Sequence, residues 1–214
     1  MKKIPTLFER DWNGDRSRVI DQIHSGCEWV AAGEGVATRK IDGTCAMVRG
    51  GRLFKRRELR EEDSAPSDFE LVGYDEETKK SVGWVPVGDG PEDKWFREAN
   101  VPSPDGTYEL VGPKVQGNPE HYEKHALVSH EETGVFEDVP RTFDGLRTWM
   151  EGRDIEGIVF HHQDGRMAKI KLRDFGLQRN KVDQSQAWGE TKWDFMDAGG
   201  RSDEQIGSCH FVSD

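Results

Sequence analysis

Apolar residues in this chain fall mostly in short alternating runs, which favours strands over long helices. Residues 16–23, with Val19, Ile20 and Ile23 apolar, predict one short helix closed by Gly26. Trp29 to Thr38 reads as extended structure leading to Lys40. Cys45–Arg49 and Arg52–Arg57 flank Gly50-Gly51, the two-residue loop of a type I′ hairpin. Residues 61–68 are charged and irregular, and two strands follow, Phe69–Tyr74 and Ser81–Val87. Pro91–Ala99 is a short helix with proline in its first turn. Tyr108–Gly112 and Ala126–Ser129 are strands, with a Gly/Pro-containing loop, Pro113–Glu120, after the first. Thr142–Glu151 spaces Phe143, Leu146, Trp149 and Met150 along one helical face, a core-packing pattern. Gly157–His161 and Arg166–Leu172 form a hairpin joined at Gln163-Asp164-Gly165.

Many antiparallel strands with a few interspersed helices make an α+β fold. Beyond Phe175 the pattern fades. The expected organisation is one domain over residues 1–177 and a short extension over 178–214 carrying Trp188, Trp193 and Phe195. At 214 residues there is room for one domain and a small appendage. No apolar run approaches the roughly 20 residues of a membrane span. The opening Met-Lys-Lys-Ile-Pro-Thr is basic with no apolar stretch behind it, so no leader and no membrane are expected. A cytoplasmic monomer is the expectation.

Cys27, Cys45 and Cys209 are far apart and are read as reduced, structural thiols. His161 and His162 are adjacent on a strand and point to opposite faces, so they cannot share a metal. His121, His125 and His130 are read as solvated loop histidines. The net charge of −11 is unevenly spread. Residues 1–60 carry 13 Lys/Arg against 8 Asp/Glu, and residues 153–181 carry 7 against 4. Residues 61–152 carry 8 against 22. Positive charge therefore lies in the two stretches that hold the strongest chemical motifs, as a phosphate-handling groove requires.

The first of those motifs is Lys40-Ile41-Asp42-Gly43-Thr44, a lysine at a strand end beside an Asp-Gly turn. Lys-x-Asp-Gly alone arises by chance in roughly one chain in twenty of this length. A lysine amine with the ordinary pKa of about 10.4 is protonated at pH 7 and cannot attack phosphorus. Nearby positive charge favours the neutral, nucleophilic form, so Lys40 should lie close to other cations. Arg56 and Arg57, in the next hairpin arm, and Lys169 with Lys171 supply them. The two lysines are two apart on a strand and share a face. Glu109, in Tyr108–Gly112, and Glu156, just before the next strand, are the candidate carboxylates.

The order of these elements resembles the ligase and capping-enzyme superfamily of covalent nucleotidyltransferases. Ala37–Cys45, Tyr108–Pro119 and Glu156–Lys171 are most similar to ATP-dependent 5′-to-3′ RNA ligases of the small type without an OB fold. The resemblance covers about residues 29–175 and is least diagnostic over 60–105. It implies a nucleotidyltransferase (adenylation) domain of antiparallel β-sheets flanked by helices. In this reading Lys40 takes AMP from ATP and Asp42 and Gly43 shape its turn. Arg39, Arg56 or Arg57 contact the nucleotide or RNA, and Glu109 bonds the ribose. Glu156 and Glu109 serve a divalent cation, Mg²⁺ or Mn²⁺, and Lys169 and Lys171 hold the α-phosphate.

The partner implied is RNA with 5′-phosphate and 3′-hydroxyl ends, and RNA repair is the implied setting. Arg39 departs from the acidic residue that some relatives carry before the nucleophile. No aromatic stands clearly where relatives stack adenine, Phe136 and Phe143 being in range. The alternatives weighed are a GTP-using mRNA-capping guanylyltransferase, a DNA ligase, and a nucleotide- or RNA-binding module without turnover.

Overall fold

The computed structural model describes residues 2–76, 78–99 and 103–180. Two short strands open the fold, β1 (Phe8–Arg10) and β2 (Val19–Ile23), paired with each other. After α1 (Glu28–Ala31) comes β3 (Val36–Lys40), then the hairpin of β4 (Thr44–Arg49) and β5 (Arg52–Arg60). β6 (Glu70–Asp75), β7 (Lys80–Pro86), α2 (Lys94–Glu98), β8 (Gly106–Val111) and β9 (Ala126–Ser129) follow. The last elements are β10 (Val135–Phe136), α3 (Phe143–Met150), β11 (Gly157–His161) and β12 (Met167–Lys171). These described residues belong to one compact unit, Met1–Lys181.

Two larger antiparallel sheets carry the architecture. One has four strands in the order β10-β3-β11-β12, the other six in the order β6-β7-β5-β4-β8-β9. The chain passes from the first to the second between Lys40 and Thr44. The Lys-x-Asp-Gly turn is therefore the crossover between sheets.

Period-two alternation gives each sheet one core face and one polar face. In the four-stranded sheet Ala37, Ile158, Phe160, Ala168 and Ile170 are all buried. They pack with Trp29 and Val30 of α1, Leu146 and Met150 of α3, and Leu7 and Phe8. Each large apolar side chain buried this way contributes about 1.5–3 kcal/mol. That burial fixes register, because a one-residue slip would bring Lys169 and Lys171 into the core. In the six-stranded sheet Ala46, Val48, Tyr108 and Leu110 form a second core with Phe96 of α2 and Val115. The segment before β1 lies along the outer edge of β12, with Leu7 N–H donating to the Lys169 carbonyl and Lys169 N–H to that of Pro5. An otherwise open edge beside the lysines is thus covered.

Gly50 and Gly51 both adopt positive φ, 57° and 69°, as the type I′ turn requires. Thr142 caps α3, its side chain accepting from Gly145 N–H. The helix predicted over 16–23 is instead β2. Val19 and Ile23, four apart, satisfy both periodicities, and pairing of Arg10 with Val19 and Phe8 with Ile23 decides for the strand. Ile20, which a helix would have buried with them, is 40% exposed. The extended reading of 29–38 holds only from Val36. Trp29 and Val30 lie in α1, and Gly33 and Gly35, at φ 88° and 75°, turn the chain between them. β1 and β10, of three and two residues, are too short to show an alternating pattern. No helix among the described residues is long and apolar enough to cross a membrane.

Gly157 lets β12 approach closely: a Cβ there would lie 2.2 Å from the Ile170 carbonyl oxygen and 2.9 Å from Lys171 Cα. Backbone, not a movable side chain, is in the way. Gly157→Ala is expected to destabilise the fold by about 1–3 kcal/mol. The check is the denaturant midpoint at unchanged m-value; an unchanged midpoint contradicts it.

Candidate active site

The row that builds the site runs across three strands. Gly157 of β11 pairs with Lys40 of β3 on one side and Lys171 of β12 on the other. One step further in, Val159 pairs with Thr38 and Lys169. Strand alternation puts Thr38, Lys40, His161, Lys169 and Lys171 on the polar face. Lys171 is set by the turn behind it: Asp174, 1% exposed, accepts from Lys171 N–H at 2.9 Å and pairs with Arg10 at 2.8 Å.

Glu156, at the mouth of β11, sits between the two lysines at the row's end. Lys40 Nζ is 2.5 Å from one carboxylate oxygen, and Lys171 Nζ donates to the other. Burial works against the charge of Glu156, but Lys40 and Lys171 outweigh it and hold its pKa below the ordinary glutamate value. Asp42 goes the other way. Burial and the neighbouring Glu156 raise its pKa, and Lys40, Arg179 and Lys171 only partly oppose them.

Lys169 has its pKa lowered to about 8, first by burial and then by the charges of Lys171, Lys40, Arg56 and Lys3. The charges acting on Lys169 come from both larger sheets, Lys40 and Lys171 from the four-stranded one and Arg56 from the six-stranded one. Arg56, Cys45 and Glu109 lie in one row of the latter. Cys45 is paired with Glu109, and Arg56 lies one step beyond the Ala46–Lys55 pair. The Nε of Arg56 is buried without a hydrogen-bond partner among the described residues. Arg57 faces the opposite way, paired with Gly83, and is exposed.

Glu109 is 7% exposed and accepts from His130 Nε2 at 3.0 Å. His130 is thus no solvated loop histidine; its Nδ1 lies 3.0 Å from Thr107 Oγ1. His125 also differs, stacking on Trp95 and pairing with Glu98 at 2.9 Å. His121 stays partly exposed, 3.8 Å from Asp154. His161 and His162 diverge as strand geometry demands, the first reaching Thr38 and the second Glu34. Burial, then His130, lower the pKa of His161.

The crossover turn is held from below by Glu120, whose side chain is 5% exposed. It accepts from Arg39 at 2.8 Å, from the Asp42 N–H at 3.0 Å and from Arg179 at 3.0 Å. Arg39 therefore lies apart from the Lys40 face, bound to Glu120. Arg179 also binds Asp154 at 2.5 Å and lies 3.9 Å from Asp42. Gly43 lets the turn lie against β8: a Cβ there would meet the Leu110 carbonyl oxygen at 2.2 Å. Phe136 and Phe143 pack with the core, Phe136 edge-on to Trp149 and Phe143 edge-on to Phe8 and Phe175.

Glu120, Arg179 and His130 were not among the sequence candidates. Glu120 closes the Pro113–Glu120 loop, where burial has no periodic signal. Arg179 follows the fading of the strand pattern, and Trp188 and Trp193 lie outside the described residues.

Residues 99–188 are similar to the family described as RNA ligase 1. The matched stretch includes Glu109, Glu120, Glu156, Lys169, Lys171 and Arg179, and not Lys40. It supports an RNA ligase family. No curated protein matches the chain.

Two outcomes follow from these charges. Unfolded, Lys169 keeps its proton to about 10.5; folded, only to about 8. Between those values the unfolded chain binds more protons, so wild-type stability should rise with pH. Lys169→Met should remove that rise and exceed wild type below pH 8 by about 1–3 kcal/mol. Urea unfolding at pH 7 and pH 9.5 tests both signs. Glu120→Ala strips the acceptor from two partly buried guanidinium groups and from the Asp42 N–H and should cost about 1–3 kcal/mol; an unchanged urea midpoint would count against the role given to Glu120.

Proposed function

We propose that this chain is an ATP-dependent RNA ligase that joins 5′-phosphate and 3′-hydroxyl ends through a covalent Lys40–AMP intermediate. The observation that carries this reading is the convergence of Lys40, Lys171 and Lys169 on one strand face, with Glu156 between the first two and Arg56 opposite. A structural lysine avoids other cations at this density, whereas a nucleotidyl-accepting lysine needs them, and Glu156 keeps the cluster together. The similarity of residues 99–188 to RNA ligase 1 supports the choice of RNA.

In the first step the Lys40 amine attacks the α-phosphorus of ATP. An N–P bond forms, the P–O bond to pyrophosphate breaks, and the amine gives up a proton. Asp42 lies within electrostatic reach of Lys40, and its raised proton affinity suits it to receive that proton. Next, an oxygen of the RNA 5′-phosphate displaces Lys40 from phosphorus, forming a 5′–5′ pyrophosphate linkage to AMP. The 3′-hydroxyl of the other end then attacks the 5′-phosphate, expelling AMP and forming the phosphodiester.

Phosphoryl transfer needs charge stabilisation and alignment more than covalent help. Lys169, Lys171 and Arg56 supply positive charge for the phosphates, and Glu109 accepts from a ribose hydroxyl. A cavity of about 950 Å³ borders Lys169 and Lys171, with Lys3 and Arg10 but also Glu58, Asp75 and Glu76 on its walls, and Lys40, Glu156 and Arg56 do not line it. Asp42 and Glu156 are hard oxygen donors close enough to disturb each other's charge, a set that fits Mg²⁺ or Mn²⁺. When bound, such a cation supplies neutralisation of phosphate charge. Glu109, beside a thiol and an imidazole, belongs to a softer donor set.

Incubation with α-labelled ATP and Mg²⁺ should leave label on the protein after denaturation, and none on Lys40→Ala. Label from GTP alone points to the guanylyltransferase, and no label at all to a binding module; either sinks the RNA-ligase reading. A 5′-phosphorylated RNA should be sealed in preference to its DNA equivalent, and the reverse order favours a DNA ligase.

A further inference from the structure

Cys45, Glu109 and His130 each offer one ligand atom, and the three atoms lie within 4.8 Å of one another. We infer that they form a binding site for a soft divalent cation of the Zn²⁺ class, whose occupation withdraws Glu109 from the nucleotide. The second part rests on the function proposed above; the first does not.

Three features of the geometry carry it. Cys45 and Glu109 are direct partners across the β4–β8 ladder, so the backbone holds their side chains side by side. His130 already meets Glu109 through Nε2 at 3.0 Å. Its other nitrogen, Nδ1, lies 3.0 Å from Thr107 Oγ1, an outer partner that fixes the ring and turns Nε2 toward the ligand position. Tetrahedral zinc bonds of about 2.0–2.3 Å set ligand atoms about 3.5 Å apart, so only a small closing motion is needed.

The donor set selects the metal. Sulfur and imidazole nitrogen with one carboxylate suit zinc, copper or cobalt and suit magnesium poorly. Three protein ligands leave a fourth position open. Burial, with Glu109, pushes the Cys45 thiol up to about 12, so the metal must displace the thiol proton to solvent, while the His130 proton moves from Nε2 to Nδ1, where Thr107 Oγ1 can accept it. Arg56 opposes an added positive charge but also favours the thiolate, and the thiolate and Glu109 carboxylate together offset the cation.

The test uses Co²⁺ as a coloured probe on the full chain. Wild type should gain thiolate-to-cobalt charge-transfer absorption with visible bands of tetrahedral cobalt at one equivalent. Zn²⁺ should abolish them, while a large excess of Mg²⁺ should not. Cys45→Ser and His130→Ala should each lose the signal while keeping wild-type circular dichroism, and Cys27→Ser and Cys209→Ser should retain it. No cobalt signal in wild type, or one that survives in folded Cys45→Ser or His130→Ala, overturns the site. In the activity arm, Zn²⁺ should suppress ATP labelling of wild type at least tenfold and leave Cys45→Ser labelled; equal suppression of both overturns the competition with nucleotide. Absence of labelling without Zn²⁺ refutes the ligase reading and leaves the cobalt result to judge the metal site.

Discussion

Both oxygens of the Glu156 carboxylate are engaged by lysines, one from the strand on each side of β11, and the arrangement of the site hangs on that contact. Two ammonium groups at the end of one strand row repel each other. A buried anion between them turns the repulsion into attraction, and low local dielectric makes the attraction strong. The geometry is set by register: Gly157 pairs with both Lys40 and Lys171, so the three strands bring the lysines to the same level. Register is in turn set by the opposite face, where Ile158, Phe160, Ala168 and Ile170 are buried. Hydrophobic packing on one side of the sheet thus positions charge on the other.

A second constraint comes from the crossover between sheets. Lys40 ends one sheet and Thr44 begins the next, so the three residues between them must turn sharply while keeping Asp42 inward. Gly43 permits the close approach to Leu110, and Glu120 gathers Arg39, Arg179 and the Asp42 amide beneath the turn. Arg39, adjacent to Lys40 in sequence, is thereby spent on structure. Its charge stabilises the turn from the far side of the strand instead of joining Lys169 and Lys171.

Much of the fold is legible in the chain because its strands alternate cleanly. The hairpins around Gly50-Gly51 and Asp164-Gly165, the β8 strand bearing Glu109 and the helix Phe143–Met150 all have local signals. The pairing of Lys169 and Lys171 on one face also follows from local alternation. What sequence could not supply is the set of contacts made at long range. Arg56 and Arg57 are equivalent until register puts the first beside Cys45 and the second opposite Gly83. Glu120 and His130 reach the site from loop and strand end, where no periodicity marks a buried polar group. The stretch 16–23 misleads because a four-residue apolar spacing serves two periods, and only pairing with β1 decides between them.

The uneven charge along the chain acquires a spatial meaning through β11. Residues 1–60 and 153–181, the basic stretches, provide β3 and β12, which flank that strand. The acidic stretch 61–152 provides Glu120, which answers Arg39 and Arg179 of those stretches from a loop. The cations around the turn pair with carboxylates: Lys40 and Lys171 with Glu156, Arg39 and Arg179 with Glu120. Under the proposed function, an incoming phosphate would replace the first of these partnerships without the second being disturbed. One anion would be exchanged for another at donors that are already aligned, so little reorganisation would be required as charge develops on phosphorus. Arg56, whose buried Nε has no partner among the described residues, would give up no hydrogen bond from that atom in such an exchange. Under the proposed function the same exchange would relieve Lys169, whose pKa is lowered to about 8 by burial and by the charges of Lys171, Lys40, Arg56 and Lys3.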